Sequence, residues 1–176
     1  MNCLKIFNKC KPCFSKISNR YSSFSSSIKP TWNNTIPFKP PINSGFVIKV
    51  YDGDTITVAT KLPYTSSPMY RWSVRIRGID CPELRTKDPD EKEVAKMAKK
   101  FLNDKILNQN VDLKNVDTGK YGRVLADVFH ENENISELMI SKRLAVPYFG
   151  KTKKTPVSWL EYYNGKNVKS DEETLK

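Results

Sequence analysis

The sequence predicts an α+β fold, mainly β: a small barrel with two to three helices packed against it. Three observations lead there. Stretches rich in β-branched residues and broken by Gly- and Pro-containing turns cluster in the first half of the folded sequence. Two later stretches carry apolar residues at the 3–4 spacing of amphipathic helices. Strands early with helices interspersed late is the order expected of a small barrel with helices on its outside.

Residues 1–29 hold seven serines between Ser15 and Ser27 and little periodicity, the composition of a disordered segment. Residues 30–45, with Pro30, Pro37, Pro40 and Pro41, suit an extended linker or an arm along a sheet edge. The folded domain is expected over 46–163, with a polar tail over 164–176. From Phe46 to Val58, β-branched residues flank a short polar turn at Gly53, which predicts a tight hairpin or bulged strand pair. Residues 61–69, with Pro63 and Pro68, form a loop. Tyr70–Ile79 then alternates, with Trp72, Val74 and Ile76 on one face and Arg71, Ser73, Arg75 and Arg77 on the other.

A polar loop runs through Pro89. Asp90–Leu107 is predicted helical, with Val94, Met97, Ala98, Phe101, Leu102 and Ile106 facing inward and acids at its start. Asn110–Val116 and Val124–Phe129 are strand-like, joined by a turn containing Gly119 and Gly122. Ile135–Leu144 is a second amphipathic helix, with Leu138, Met139 and Leu144 inward. Thr155 and Pro156 fit the N-cap and first position of a short third helix carrying Trp159, Leu160 and Tyr163.

Charge is distributed unevenly. The formal net charge is +11, but residues 1–51 contain eight basic residues and no acid, which leaves 11 − 8 = +3 for residues 52–176. The basic excess thus says little about what the domain binds. Cysteines do not form a disulfide framework: Cys3, Cys10 and Cys13 sit in the N-terminal segment and Cys81 inside a charged motif, which fits a reducing, intracellular compartment. Cys10 and Cys13 have metal-ligand spacing, but with His130 the only histidine and no second pair, a zinc site is not supported. No stretch approaches the ~20 apolar residues of a membrane span. The acid-free, Ser-rich start suits an organellar transit peptide, or S-acylation with contact to an anionic membrane. A monomer is expected.

Three charged clusters carry the chemistry: Asp52-Gly53-Asp54-Thr55, Arg75-Ile76-Arg77-Gly78-Ile79-Asp80-Cys81-Pro82-Glu83 and Lys120-Tyr121-Gly122-Arg123. Phosphodiester hydrolysis needs charge neutralisation at phosphorus, a positioned water and help for the leaving oxygen. Carboxylates on neighbouring strands, here Asp54 and Asp80, suit a hard divalent cation. Glu83, after a proline-set turn, suits a proton acceptor. Arg75 and Arg123 match phosphate oxygens with a planar fork that stays ionised. Asp52 is expected to support the cluster, Arg77 to belong to the surface, and His130 to be an exposed turn histidine. Lys151, Lys153 and Lys154 form a solvated run, placed near enough to Tyr148 to guide a phosphate backbone.

In this order and spacing, the three clusters resemble the staphylococcal nuclease-like (thermonuclease) family over roughly residues 46–163. The resemblance implies a five-stranded OB-fold barrel and a Ca²⁺-dependent endonuclease acting on DNA and/or RNA to leave 3′-phosphate and 5′-hydroxyl ends. It implies metal binding by Asp54, Asp80 and the backbone carbonyl of Cys81, phosphate binding by Arg75 and Arg123, and general-base action by Glu83. Lys120, Tyr121 and Tyr148 would hold the nucleotide. Cys81 departs from the threonine common there and brings a thiol, with its oxidation chemistry, beside the site. The Thr60–Trp72 hairpin loop is longer than in the compact bacterial enzyme. The other function class open to such a barrel is a non-catalytic OB-type module that binds nucleic acid or protein; keeping all five charged side chains disfavours it.

Overall fold

The computed structural model describes residues 29–150, 153 and 155–166, without the side chain of Lys120. The expectations for Cys3, Cys10 and Cys13, for Lys151 and Lys154, and for the polar tail from 167 onward lie outside these residues. Two compact units divide the chain, 1–36 and 37–176. In the first, a 3-10 turn spans Trp32–Asn34, where the Thr31 N–H donates to Asn34 Oδ1 at 2.6 Å.

The second unit holds β1 (Ser44–Val50), β2 (Thr55–Lys61), β3 (Met69–Ile76), β4 (Gly78–Asp80), α1 (Pro89–Ile106), β5 (Asn110–Thr118), β6 (Val124–His130), β7 (Glu133–Asn134), α2 (Ile135–Ser141), β8 (Val146–Tyr148) and α3 (Trp159–Tyr163). Antiparallel pairing joins β3 to β2, β2 to β1, β1 to β5 and β5 to β6, and a parallel pairing of β3 with β6 closes the ring. The result is a closed five-stranded mixed barrel with three helices, the OB-like, mainly β architecture expected. β7 extends β6 at the rim, and β4 pairs with β8 as a separate two-stranded sheet. Among the described residues no helix is long and apolar enough to cross a membrane.

Alternation alone would turn Lys49 into the core, on the same side as Val47. A β-bulge between Val47 and Lys49 prevents this: Val47 pairs with Val58 and Lys49 with Thr57, so one extra residue sits in β1. Val47 and Val50 are both buried and Lys49 faces solvent. Val58, Val74, Ile76, Val111, Ala126 and Val128 complete the barrel interior.

α1 starts where its capping residues allow. The Asp88 carboxylate accepts the Asp90 N–H at 2.9 Å, and Pro89 takes the first position, where a missing N–H costs nothing. It buries Val94, Ala95, Ala98, Leu102 and Ile106 and packs against β1 and α3. α2 is shorter than the predicted Ile135–Leu144, because Arg143 adopts a left-handed φ of 55° that no helix continues. α3 also departs from expectation. Its N-cap is Ser158, whose Oγ accepts the Glu161 N–H at 3.2 Å, rather than Thr155. Starting there buries Trp159, which anchors the helix against α1. His130 is half-buried rather than exposed: its Nδ1 lies 3.1 Å from the Asn110 carbonyl, tying β6 to β5. The run from Pro37 behaves as a strand-edge arm, with the Phe38 carbonyl accepting from Thr118 Oγ1 at 2.7 Å and Lys39 paired with Asp117 at 3.2 Å.

Gly53 owes its identity to close approach rather than to an unusual backbone angle. A Cβ there would lie 2.9 Å from Cys81 Sγ and 3.1 Å from Ala98 Cβ, inside van der Waals contact with α1. Gly53→Ala should therefore cost about 1–3 kcal/mol, read as a lowered urea midpoint. A midpoint equal to wild type would show that the turn and α1 are not in contact.

Candidate active site

The turn between β1 and β2 is built by its own side chains. Asp52 Oδ1 accepts the Asp54 N–H at 3.2 Å, and the Thr55 carbonyl accepts the Tyr51 N–H at 2.9 Å. This turns the Asp54 carboxylate inward, where only 5% of the residue is exposed. Asp80 arrives from the other side. Gly78, with φ of +84°, turns the chain sharply out of β3, so that β4 leaves the barrel and pairs Asp80 with Val146 of β8. Asp80 is only 2% exposed.

Arg75, near the end of β3, bridges the two. Its Nη1 lies 2.6 Å from Asp54 Oδ1 and its Nη2 3.2 Å from Asp80 Oδ1. Thr55 Oγ1 donates to Asp54 Oδ1 at 2.8 Å, and Lys153 Nζ approaches Asp80 Oδ1 at 2.9 Å. Arg77, two residues along the same strand face, serves different partners: the Asn115 carbonyl at 2.5 Å and Asp127 at 3.5 Å.

Burial dominates the electrostatics of the Asp54 end. Burial raises the Asp54 carboxyl from 3.8 to about 6, with Asp52 and Asp80 pushing the same way and Arg75 and Thr55 opposing. Burial also works against the Arg75 charge, but Asp54, Asp80 and Asp52 outweigh it and hold the guanidinium charged more firmly than usual. Lys153 is likewise held charged: burial opposes this, and Asp80 and Glu83 overcome it. Two buried carboxylates joined through Arg75 offer hard oxygen donors, so Asp54 and Asp80 fit a divalent cation, which would compete with Lys153 for Asp80. Among the described residues no cluster of three or more His, Cys, Asp or Glu forms. Backbone carbonyl, water or substrate oxygens would therefore have to complete the coordination of such an ion.

Glu83 stands at the mouth, 66% exposed by side chain, with Lys153 Nζ 3.8 Å from its Oε1. Its backbone is held by α1, whose Glu91 carboxylate accepts the Glu83 N–H at 3.0 Å. A cavity of about 390 Å³ is lined by Arg75, Glu83, Arg123, Tyr148 and Lys153, with Gly119, Leu125 and Gly150 completing it. Tyr148 reaches it through β8, a strand that sequence periodicity missed because Pro147 interrupts it. Tyr121 does not line it: its backbone is left-handed at φ 61° and its side chain is 92% exposed. Cys81 turns its thiol into the core beneath Gly53, and burial first, then the neighbouring carboxylates, pushes the thiol well above its ordinary range. Burial thus shields the thiol from solvent and disfavours its thiolate form. Lys153 is the site residue whose role the sequence left open, since nothing distinguishes it from Lys151 and Lys154 until β8 and α3 position the segment.

Comparison with known proteins follows the same lines. The family model described as staphylococcal nuclease homologue matches residues 73–167, a span holding Arg75, Asp80, Glu83, Arg123 and Tyr148 but not Asp54. A Haemophilus influenzae protein named "Uncharacterized endonuclease" is 31% identical over 106 residues, 60% of this chain and 53% of that protein. A Schizosaccharomyces pombe protein named "Probable endonuclease" is 30% identical over 128 residues, 60% of this chain and 56% of that protein. The chain thus spans about half the length of the curated relatives it matches.

The raised Asp54 carboxyl sets a pH dependence. Its folded value of about 6 exceeds the unfolded 3.8, so the folded state binds the extra proton between these values. Its contribution to stability is fully present below pH 3.8 and is lost as pH rises through 6, by an amount on the order of 3 kcal/mol. Asp54→Asn removes this loss. In chelator, the variant should gain stability relative to wild type between pH 4 and pH 8, measured by denaturant unfolding at both. A constant difference across that range would contradict the assignment.

Proposed function

The chain belongs to the staphylococcal nuclease homologue family, and from that premise we propose that it is a metal-dependent endonuclease hydrolysing phosphodiester bonds of DNA and/or RNA. The observation that supports this most is the convergence of Arg75, Glu83 and Arg123 on one cavity, with Asp54 and Asp80 behind Arg75. These five side chains come from strands, loops and turns far apart in sequence.

In this proposal Arg75 and Arg123 bind two non-bridging oxygens of the scissile phosphate and stabilise the charge that grows on them in the transition state. Glu83 accepts a proton from a water, whose oxygen forms the new bond to phosphorus. The 5′ oxygen departs with its bonding electrons and is protonated, leaving a 5′-hydroxyl and a 3′-phosphate. Asp54, Asp80 and the Cys81 carbonyl would hold Ca²⁺, which would supply Lewis-acid polarisation of the phosphate. Tyr148 would support the base of the bound nucleotide. Lys153, held against Asp80 and Glu83, would yield to that cation, because one ammonium cannot match a divalent ion between the carboxylates.

The test is digestion of single- and double-stranded DNA and RNA by the full chain, with calcium and then with chelator. Cutting is expected with calcium alone, and cutting unaffected by chelator would defeat the metal assignment. Glu83→Gln should lower kcat by about 10²–10⁴-fold, and Arg123→Gln by about 10²–10³-fold. Folded protein that cuts nothing under either condition would remove the proposal.

A further inference from the structure

A second cavity, of about 420 Å³, shares Glu83 with the first and is otherwise lined by Lys49, Tyr51, Leu84, Arg85 and Lys99. Its parts come from three elements. The β1 bulge turns Lys49 outward, Arg85 follows the Pro82-Glu83 turn, and Lys99 projects from α1. Two of these charges meet an exposed aromatic ring: Lys49 Nζ lies 5.8 Å from the Tyr51 ring centroid, and Arg85 Nη2 donates to the Tyr51 hydroxyl at 3.1 Å. Among the described residues none of Lys49, Arg85 and Lys99 is in an ion pair, while Glu83, the acid at this rim, faces Lys153 at 3.8 Å. None of these cations has a structural task in the proposed reaction.

We infer that this cavity is a second nucleotide subsite, which takes the single-stranded continuation of the substrate as it leaves the scissile position past Glu83. Lys49, Arg85 and Lys99 would hold a backbone phosphate, and one base would stack on Tyr51. A ring flanked by unpaired cations is the combination that binds a single strand without reading its sequence. An anionic lipid surface would use the cations but leaves the ring without a role. Glu83 lines both cavities, so the two adjoin at that residue. The inference rests on the hydrolase proposal for its substrate class, but the subsite makes its own contacts.

The experiment measures anisotropy of labelled single-stranded DNA of about twelve nucleotides, and of a dinucleotide, with the full chain in chelator so that nothing is cut. Tyr51→Ala should bind the longer strand about tenfold more weakly and the dinucleotide unchanged, while Tyr51→Phe, which keeps the ring, should match wild type. Lys99→Gln should lower the slope of log affinity against log salt by about 1 for the longer strand alone. Equal affinity of wild type and Tyr51→Ala for the longer strand, equal losses on both lengths, or no binding by wild type would each overturn the subsite. So would loss of phosphatidylserine-vesicle binding with oligonucleotide binding intact, which would assign the surface to lipid. Length-dependent binding in a chain that cuts nothing with calcium would remove the hydrolase proposal and leave the subsite standing.

Discussion

The bridge from Arg75 to Asp54 and Asp80 is the contact around which the rest of the structure is arranged. Two carboxylates are held almost out of water, and losing their shared partner would leave uncompensated buried charge at a cost of about 3–5 kcal/mol. Arg75 and Lys153 together match the two charges, yet burial outweighs the Arg75 attraction and raises Asp54 to about 6. The arrangement thus holds a carboxylate whose charge is disfavoured by burial beside cations that favour it.

Three backbone devices bring the bridge about, none of them a functional side chain. The bulge in β1 resets the strand so that Val50 goes inward and the Asp52–Asp54 turn starts in the correct phase. Gly53 lets α1 pack directly on that turn. Gly78 ends β3 and sends β4 out to meet β8, which delivers Asp80 to Arg75 and Tyr148 to the cavity together. Closure of the barrel by the parallel β3–β6 pairing brings Arg123, at the start of β6, beside the end of β3.

Charge placement sharpens the functional picture. The region from residue 52 onward carries only +3, so little net field acts over the whole domain. Some basic side chains converge locally instead: Arg75, Arg123 and Lys153 line one cavity, and Lys49, Arg85 and Lys99 line another that shares Glu83 with it. Local convergence of this kind acts within a Debye length of about 8 Å at physiological salt. It therefore acts on a ligand already at the surface more than on distant ones.

Much of this was legible in the residues. Alternation located β3, β-branched and strand-like runs between turns located the other barrel strands, period-3.6 stretches located α1 and α2, and the three charged clusters marked Asp54, Arg75, Asp80, Glu83 and Arg123, because local sequence dictates local geometry. What the sequence left open depends on partners distant along the chain. The bulge that frees Lys49 exists only against the register of β2. The start of α3 at Ser158 follows from where Trp159 can be buried. β8 forms despite Pro147 because β4 offers it a short edge to pair with. The divergence of Arg75 and Arg77, identical in pattern and two residues apart, was decided by which carboxylates the closed barrel set beside each. Periodicity can say which way a side chain faces; only the folded neighbours determine what it meets there.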